Sequence, residues 1–273
     1  MPKFLKFFLR SSAVLIVLAA VFFVCGYAET YNLNVSRTVI KDSDIPAQFE
    51  GKKIVFASDF HYGIFFGRDR MAKTVERINS LNPDIIILGG DYVDKDKNYV
   101  GPCFEELARL KAPLGVYAIL GNHDYKFPGL ITSAIKSSQI ILLKNSGRWI
   151  DVGGERIRIG GIDDFSLGDP DLEPALKGVS ENDFAVLAAH NPLYIDEISN
   201  NLVDLVLSGH NHGGQVTFFG WAPLFSFWPE RGYVKGEVNT SFTKAIVSGG
   251  IGTTALPVRF WARAEINEIV LEP

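Results

Sequence analysis

Five short apolar runs, "KIVFAS", "DIIILG", "GVYAIL", "FAVLAAH" and "VDLVLSGH", each end at or next to aspartate, asparagine or histidine, and that pattern leaves few folds open. Runs this short and this rich in β-branched residues read as strands buried on both faces, not as helices. Amphipathic stretches separate the early ones. "RDRMAKTVERINSL" places Met71, Val75 and Ile78 on one helical face behind a candidate Asp69 cap, and "PCFEELARL" and "PGLITSAIKSS" read as further helices. "ERIRIGGI" and "KAIVSGG" add strands with fewer helices between them. Strands alternating with helices imply a parallel sheet and a layered α/β fold, here with two sheets face to face. At 273 residues, 47% hydrophobic and 21% charged, the chain can bury one substantial core in a single domain.

The strand exits carry the chemistry. They deliver Asp59 and His61, then Asp91, then Asn122, His123 and Asp124, then His190, then His210 and His212. The chain has five histidines and all of them stand in these exits. In an open α/β sheet the C-terminal strand ends share one edge, where ligands bind. Asp59 with His61, and His210 with His212, are spaced by two, so in extended chain each pair points one way. Mixed Asp, Asn and His ligation without thiolates suits divalent Mn, Fe, Zn or Co, with Mn the expected ion. A carboxylate can bridge two such ions, and Asp91, alone on its strand end, is the natural bridge. Two cations about 3.5–4 Å apart activate a bound water, so no side-chain nucleophile is required.

In order along the chain, "SDFH", "GGDYVD", "GNHD", "AAH" and "SGHNHGGQ" resemble the five metal-binding blocks of the calcineurin-like metallophosphoesterases, over nearly all of the chain from Glu50 onward. The resemblance implies that family's four-layer αββα sandwich. It also implies one metal held by Asp59, His61, Asp91 and His212, a second held by Asp91, Asn122, His190 and His210, and His123 as the acid beside the phosphate. Asp124 is then expected either to orient His123 and raise its pKa or to serve as a turn cap.

Other motifs carry less. "DKDKNYVGPCFE" approximates a calcium loop, but Tyr99 stands where that loop needs glycine, and Pro102 is awkward for its geometry. A Ser/His/Asp hydrolase finds no support, because no serine sits in a G-x-S-x-G elbow. Lys95 and Asp96 replace the Arg-Gly of the protein phosphatase branch, so a protein phosphatase is not expected. An N-terminal apolar span, "SGHNHGGQ" and the tail "VSGGIGTTALPVRFW" look like the membrane-anchored bacterial phosphoesterases, some related to UDP-diacylglucosamine pyrophosphatases. Their arginine before "GIG" is Gly249 or Gly250 here, which makes Arg259 the candidate replacement for binding substrate. Phe218, Phe219, Trp221, Leu224, Phe225, Phe227 and Trp228 crowd together after the last ligands. They form either a lipid-facing lip, with Trp221 and Phe225 touching substrate, or filling between the two sheets.

Residues 1–28 carry Lys3, Lys6 and Arg10 and then no charge from Ser11 to Ala28. That length favours a transmembrane anchor, with a secretory signal cut after "GYA" as the alternative. The basic N-terminus places the catalytic domain, residues 50–273, outside the cytoplasm, with 29–49 as a polar linker holding one possible strand. A net charge of -4 gives no basic footprint for nucleic acid, and no protein partner is evident. Cys25 and Cys103 make neither a disulfide framework nor a zinc site. The expected function is metal-dependent hydrolysis of a lipid-linked or membrane-derived phosphodiester or pyrophosphate. The alternatives are hydrolysis of a soluble nucleotide or small diester, and a metal-binding scaffold without turnover.

Overall fold

The computed structural model describes residues 2–223 and 232–273. Helix α1 (Lys3–Glu29) leads into strand β1 (Leu33–Lys41). β2 (Lys53–Ala57), α2 (Arg68–Ser80), β3 (Ile85–Leu88), α3 (Val100–Leu107), β4 (Val116–Ala118), α4 (Pro128–Ser137) and β5 (Ile141–Leu142) follow in alternation. The second half runs β6 (Ser146–Val152), β7 (Glu155–Gly161), α5 (Leu172–Ala175), β8 (Ala185–Ala188), β9 (Leu205–Ser208), β10 (Gly236–Asn239), β11 (Lys244–Val247) and β12 (Ala264–Glu272).

Two six-stranded sheets result, ordered β1-β12-β2-β3-β4-β5 and β10-β11-β9-β8-β7-β6. Strand alternation sorts their side chains into three apolar layers. Ile54, Phe56, Ile85, Ile87 and Ile119 of the first sheet meet Ile157, Ile159, Val186, Leu205 and Leu207 of the second between the sheets. Val55, Ala57, Ile86 and Leu88 face the other way, onto Met71, Val75 and Ile78 of α2 and Phe104 and Leu107 of α3. Leu187, Val206 and Val247 cover the outer face of the second sheet with Leu176, Tyr194 and Ile195. The result is the αββα sandwich, and truncating a fully buried inter-sheet isoleucine to alanine costs on the order of 2–5 kcal/mol. Because β2, β3 and β4 run parallel, as do β8 and β9, their C-terminal ends collect at one edge.

Two expectations change here. Residues 29–49 are not a linker. β1 pairs in parallel with β12 from Leu33↔Ala264 to Lys41↔Glu272, and Phe49 is fully buried, so the folded domain begins where α1 ends. Asp69 does not cap α2 either; the N-cap is Gly67, and Asp69 lies in the first turn.

Candidate metal centre

The exits of β2 and β3 continue pairing beyond the strands, with Asp59 N donating to Gly90 O at 3.0 Å and His61 N to Asp91 O at 3.0 Å. There the chain turns left-handed. Asp59 (φ 58°), His61 (46°), Asp91 (57°), His210 (73°) and His212 (51°) all occupy the region that non-glycine residues avoid. The paired ligands therefore converge through tight turns, not through the extended chain that spacing by two suggests. Strain of this kind persists only where surrounding structure fixes it, and it concentrates at functional sites.

All seven expected ligands come together. His61 Nε2 lies 3.1 Å from His212 Nε2 and 3.4 Å from Asp91 Oδ2, while His212 Nε2 lies 3.6 Å from Asp59 Oδ1. On the other side of Asp91, His190 Nε2 stands 3.5 Å from Oδ2 and 3.2 Å from Asn122 Oδ1, which is itself 3.1 Å from His210 Nδ1. Two donor groups thus share one carboxylate. The His61 and His212 rings turn nitrogen toward nitrogen, and their Nδ1 atoms are buried without a protein partner. Protein groups alone do not satisfy this cluster, and its donor set, nitrogen and oxygen without sulfur, suits a borderline or hard divalent cation.

The electrostatics agree. Burial first, then the neighbouring His61 and Arg259, holds His212 well below the ordinary imidazole range, and burial together with His190 lowers His210. Both are neutral, with lone pairs to give. Burial also pulls His190 down, but Asp91 outweighs it and holds the ring at about 10. A cation entering the site displaces that proton. His190 Nδ1 faces the Gly89 carbonyl at 2.7 Å, which aims Nε2 inward.

Several other assignments change. Asp124 does not touch the His123 ring. It is fully buried and ties two strand exits together, accepting from Asp91 N at 2.8 Å, Gly121 N at 2.9 Å and Tyr92 N at 3.0 Å. Burial and Asp91 push it up to about 7. The contact on His123 is Lys126, whose Nζ lies 3.1 Å from Nδ1. An ammonium has only protons to give, so Nδ1 accepts and the neutral ring carries its proton on Nε2. Burial lowers His123 to about 4, so Asp124 does not raise it. Lys126 escaped the sequence reading although its spacing of three from His123 in "NHDYK" could have flagged it.

Arg259 is not a substrate ligand. It is fully buried, and its guanidinium donates to the carbonyls of Gly252, Gly249, Gly250, Ala262 and His212. It braces the tail against a ligand loop. Trp221 is 61% exposed and Phe219 94% exposed, so neither fills the space between the sheets; Phe225 lies outside the described residues.

A cavity of about 390 Å³ opens on the centre, lined by Asp91, Asn122, His123, His210 and His212 together with Val216, Ala255, Leu256 and Val258. A larger cleft of about 820 Å³, lined by Asn79, Asp84, Lys111 and Gln139, carries no such cluster. Gly121 shows how little slack the centre has. A Cβ there would press on Asp91 Oδ1 and stand 2.7 Å from His190 Cε1. Gly121→Ala is expected to weaken metal binding by about 10–100-fold, as loss of ligand support does, while circular dichroism stays unchanged. Metal titration of the variant checks this.

The model of the calcineurin-like phosphoesterase family matches residues 52–214. An uncharacterized metallophosphoesterase of Bacillus subtilis, YkuE, is 32% identical over 90% of this chain and 88% of that protein. A transmembrane protein with metallophosphoesterase domain from Bos taurus is 29% identical over 84% of this chain, which spans about half (54%) of that protein. The Haemophilus influenzae NAD nucleotidase superposes with a TM-score of 0.51 and 15% identity over 73% of this chain and 45% of that one, a likeness of fold. With the metal centre at the matched blocks and the αββα layers around it, the chain belongs to the calcineurin-like phosphoesterase family.

Proposed function

We propose that the protein is a dinuclear metal-dependent hydrolase of a phosphodiester or pyrophosphate carried by a lipid, held at its membrane by α1. The observation that carries this reading is the cavity. Metal-centre residues and the apolar Val216, Ala255, Leu256 and Val258 line the same cavity, so one molecule carrying both a phosphoryl group and hydrocarbon satisfies both. Phe218, Phe219, Trp221 and Trp261 stand exposed nearby. α1, at 27 residues and about 40 Å, is long enough to cross a bilayer.

Bound divalent ions, Mn foremost, would supply water activation and charge neutralisation through Asp59, His61, Asp91, Asn122, His190, His210 and His212. The chain's own residues do the rest. His123, neutral and held by Lys126 at Nδ1, presents Nε2–H as donor to the oxygen that leaves phosphorus. Asp91 Oδ1 accepts the His123 main-chain N–H at 2.8 Å, which fixes the donor relative to the ligands. Asp124 locks the backbone of Asp91, Tyr92 and Gly121 so that these groups need not reorganise during the reaction. Water adds to phosphorus, the bond to the leaving oxygen breaks, and that oxygen takes the Nε2 proton of His123 as the Lys126 ammonium passes one to Nδ1; the proton lost by the water restores the pair.

CDP-diacylglycerol in detergent micelles against bis-p-nitrophenyl phosphate separates the lipid reading from a soluble one. Leu256→Ser and Trp221→Ser should raise KM for the lipid by about tenfold, the loss of one to two buried apolar contacts, with the soluble rate retained. Equal loss on both substrates would remove the support for a lipid.

A further inference from the structure

α1 is more than a tether. Its last turn carries the helix's one glycine, Gly26, and that residue is buried against the tail segment that walls the cavity. The Gly26 carbonyl accepts from Arg259 N at 2.9 Å. A Cβ on Gly26 would stand 3.1 Å from Val258 Cβ and 3.3 Å from Arg259 O, a tight fit that a small shift absorbs but that leaves no room for a larger side chain. Glycine inside a helix is disfavoured relative to alanine, and in membrane helices small residues mark close contacts. Phe22 packs on Phe260 with ring centroids 4.8 Å apart, Arg263 Nε lies 3.1 Å from Glu29 Oε1, and the Thr30 carbonyl accepts from Arg70.

The opposite side of the same segment is tied to the ligand loop. Gln215 Nε2 donates to the carbonyls of Thr254 and Leu256 at 3.0 Å each, and Phe260 N donates to Gln215 O at 2.9 Å. Residues 254–260 are therefore clamped between α1 and the chain that carries His210 and His212. Arg259 joins the two, with its main-chain N–H on Gly26 and its side chain on the His212 carbonyl at 3.2 Å.

We propose that the last turn of α1 positions the apolar wall of the substrate cavity, so that productive binding of the substrate's hydrocarbon requires the docked helix. The proposal rests on the lipid reading of that cavity. It also requires α1 in the mature protein, since a cut after Ala28 would remove Phe22 and Gly26.

Full-length Gly26→Leu and Gly26→Ala in detergent micelles, compared with wild type, test it. Gly26→Leu should raise KM for CDP-diacylglycerol by about tenfold while kcat on bis-p-nitrophenyl phosphate stays within about twofold and metal content is unchanged. The smaller Gly26→Ala should stay near wild type. Hydrogen exchange should show residues 254–262 losing protection in Gly26→Leu, a readout independent of turnover. Unchanged protection and unchanged lipid KM would overturn the proposal. So would equal loss on both substrates, or a mature chain lacking residues 1–28. If wild type turned over neither substrate, the hydrolase reading would fail while the exchange data still decided the role of the helix.

Discussion

Asp91→Ala is expected to empty the centre of metal and to bring turnover below detection. Asp91 Oδ2 lies between His61 Nε2 at 3.4 Å and His190 Nε2 at 3.5 Å, and it is the carboxylate the two donor groups share. Burial opposes its charge, yet His190 and His61 hold it well below the usual carboxylate range, so it is an anion at all working pH values. Removing it takes one ligand from each group at once and leaves His190, buried and charged, without its partner. An unpaired buried charge costs about 3–5 kcal/mol, so Asp91→Asn, which keeps the shape, is the companion variant for separating unfolding from metal loss. Elemental analysis of both, with circular dichroism, reads the outcome. Retention of both ions in Asp91→Ala would show that the carboxylate does not bridge.

His123→Ala is expected to behave oppositely, retaining metal and losing rate by the ~10²–10⁴-fold that a positioned proton donor contributes. The ring lies beside the ligands, 4.6 Å from the His61 ring between centroids, and lines the cavity. Its Nδ1 is occupied by Lys126, which leaves one nitrogen for substrate. The loss should fall mainly on kcat, and should shrink for a substrate whose leaving group needs no proton, such as a nitrophenolate. His123, His61 and Asp91 also form a compact donor group of their own. Metal loss in His123→Ala would therefore move the residue into the ligand set and leave the proton donor to another group.

The candidate ligands were legible because they stand at the ends of short apolar strands, where the run of buried residues stops abruptly. Their convergence follows from parallel strand order, which the helix–strand alternation also announces. β12 was not legible, and β1 only as one possible strand in a polar stretch. β12 is central and buried along most of its length, yet it carries Glu265, Asn267 and Glu268, so its pattern does not read as apolar. Those charges are met from elsewhere, Glu265 by Lys235 and Glu268 by Lys53 at 3.3 Å and Arg37 at 3.8 Å. β1 is an edge strand whose residues are half-exposed or exposed except Ile40, and it reads as a polar linker with one possible strand until its partner is known. Asp124 is the turn cap that was one of its two expected roles, accepting from Gly121 N, whereas Arg259 and the other role of Asp124 were misjudged for one shared reason. A sequence shows that a charge is present but not that backbone carbonyls or amides from distant turns have already taken its hydrogen bonds.

If these strand exits form a metal-dependent phosphoester hydrolase, turnover depends on the bound ion. Purified full-length protein, loaded in turn with Mn, Fe, Co and Zn, is assayed on bis-p-nitrophenyl phosphate before and after chelation and again after the ion is restored. The expected result is turnover that chelator abolishes and metal restores, with Mn the most effective. Metal bound in full with no chelator-sensitive turnover under any of the four ions would contradict it and leave a metal-binding scaffold in its place.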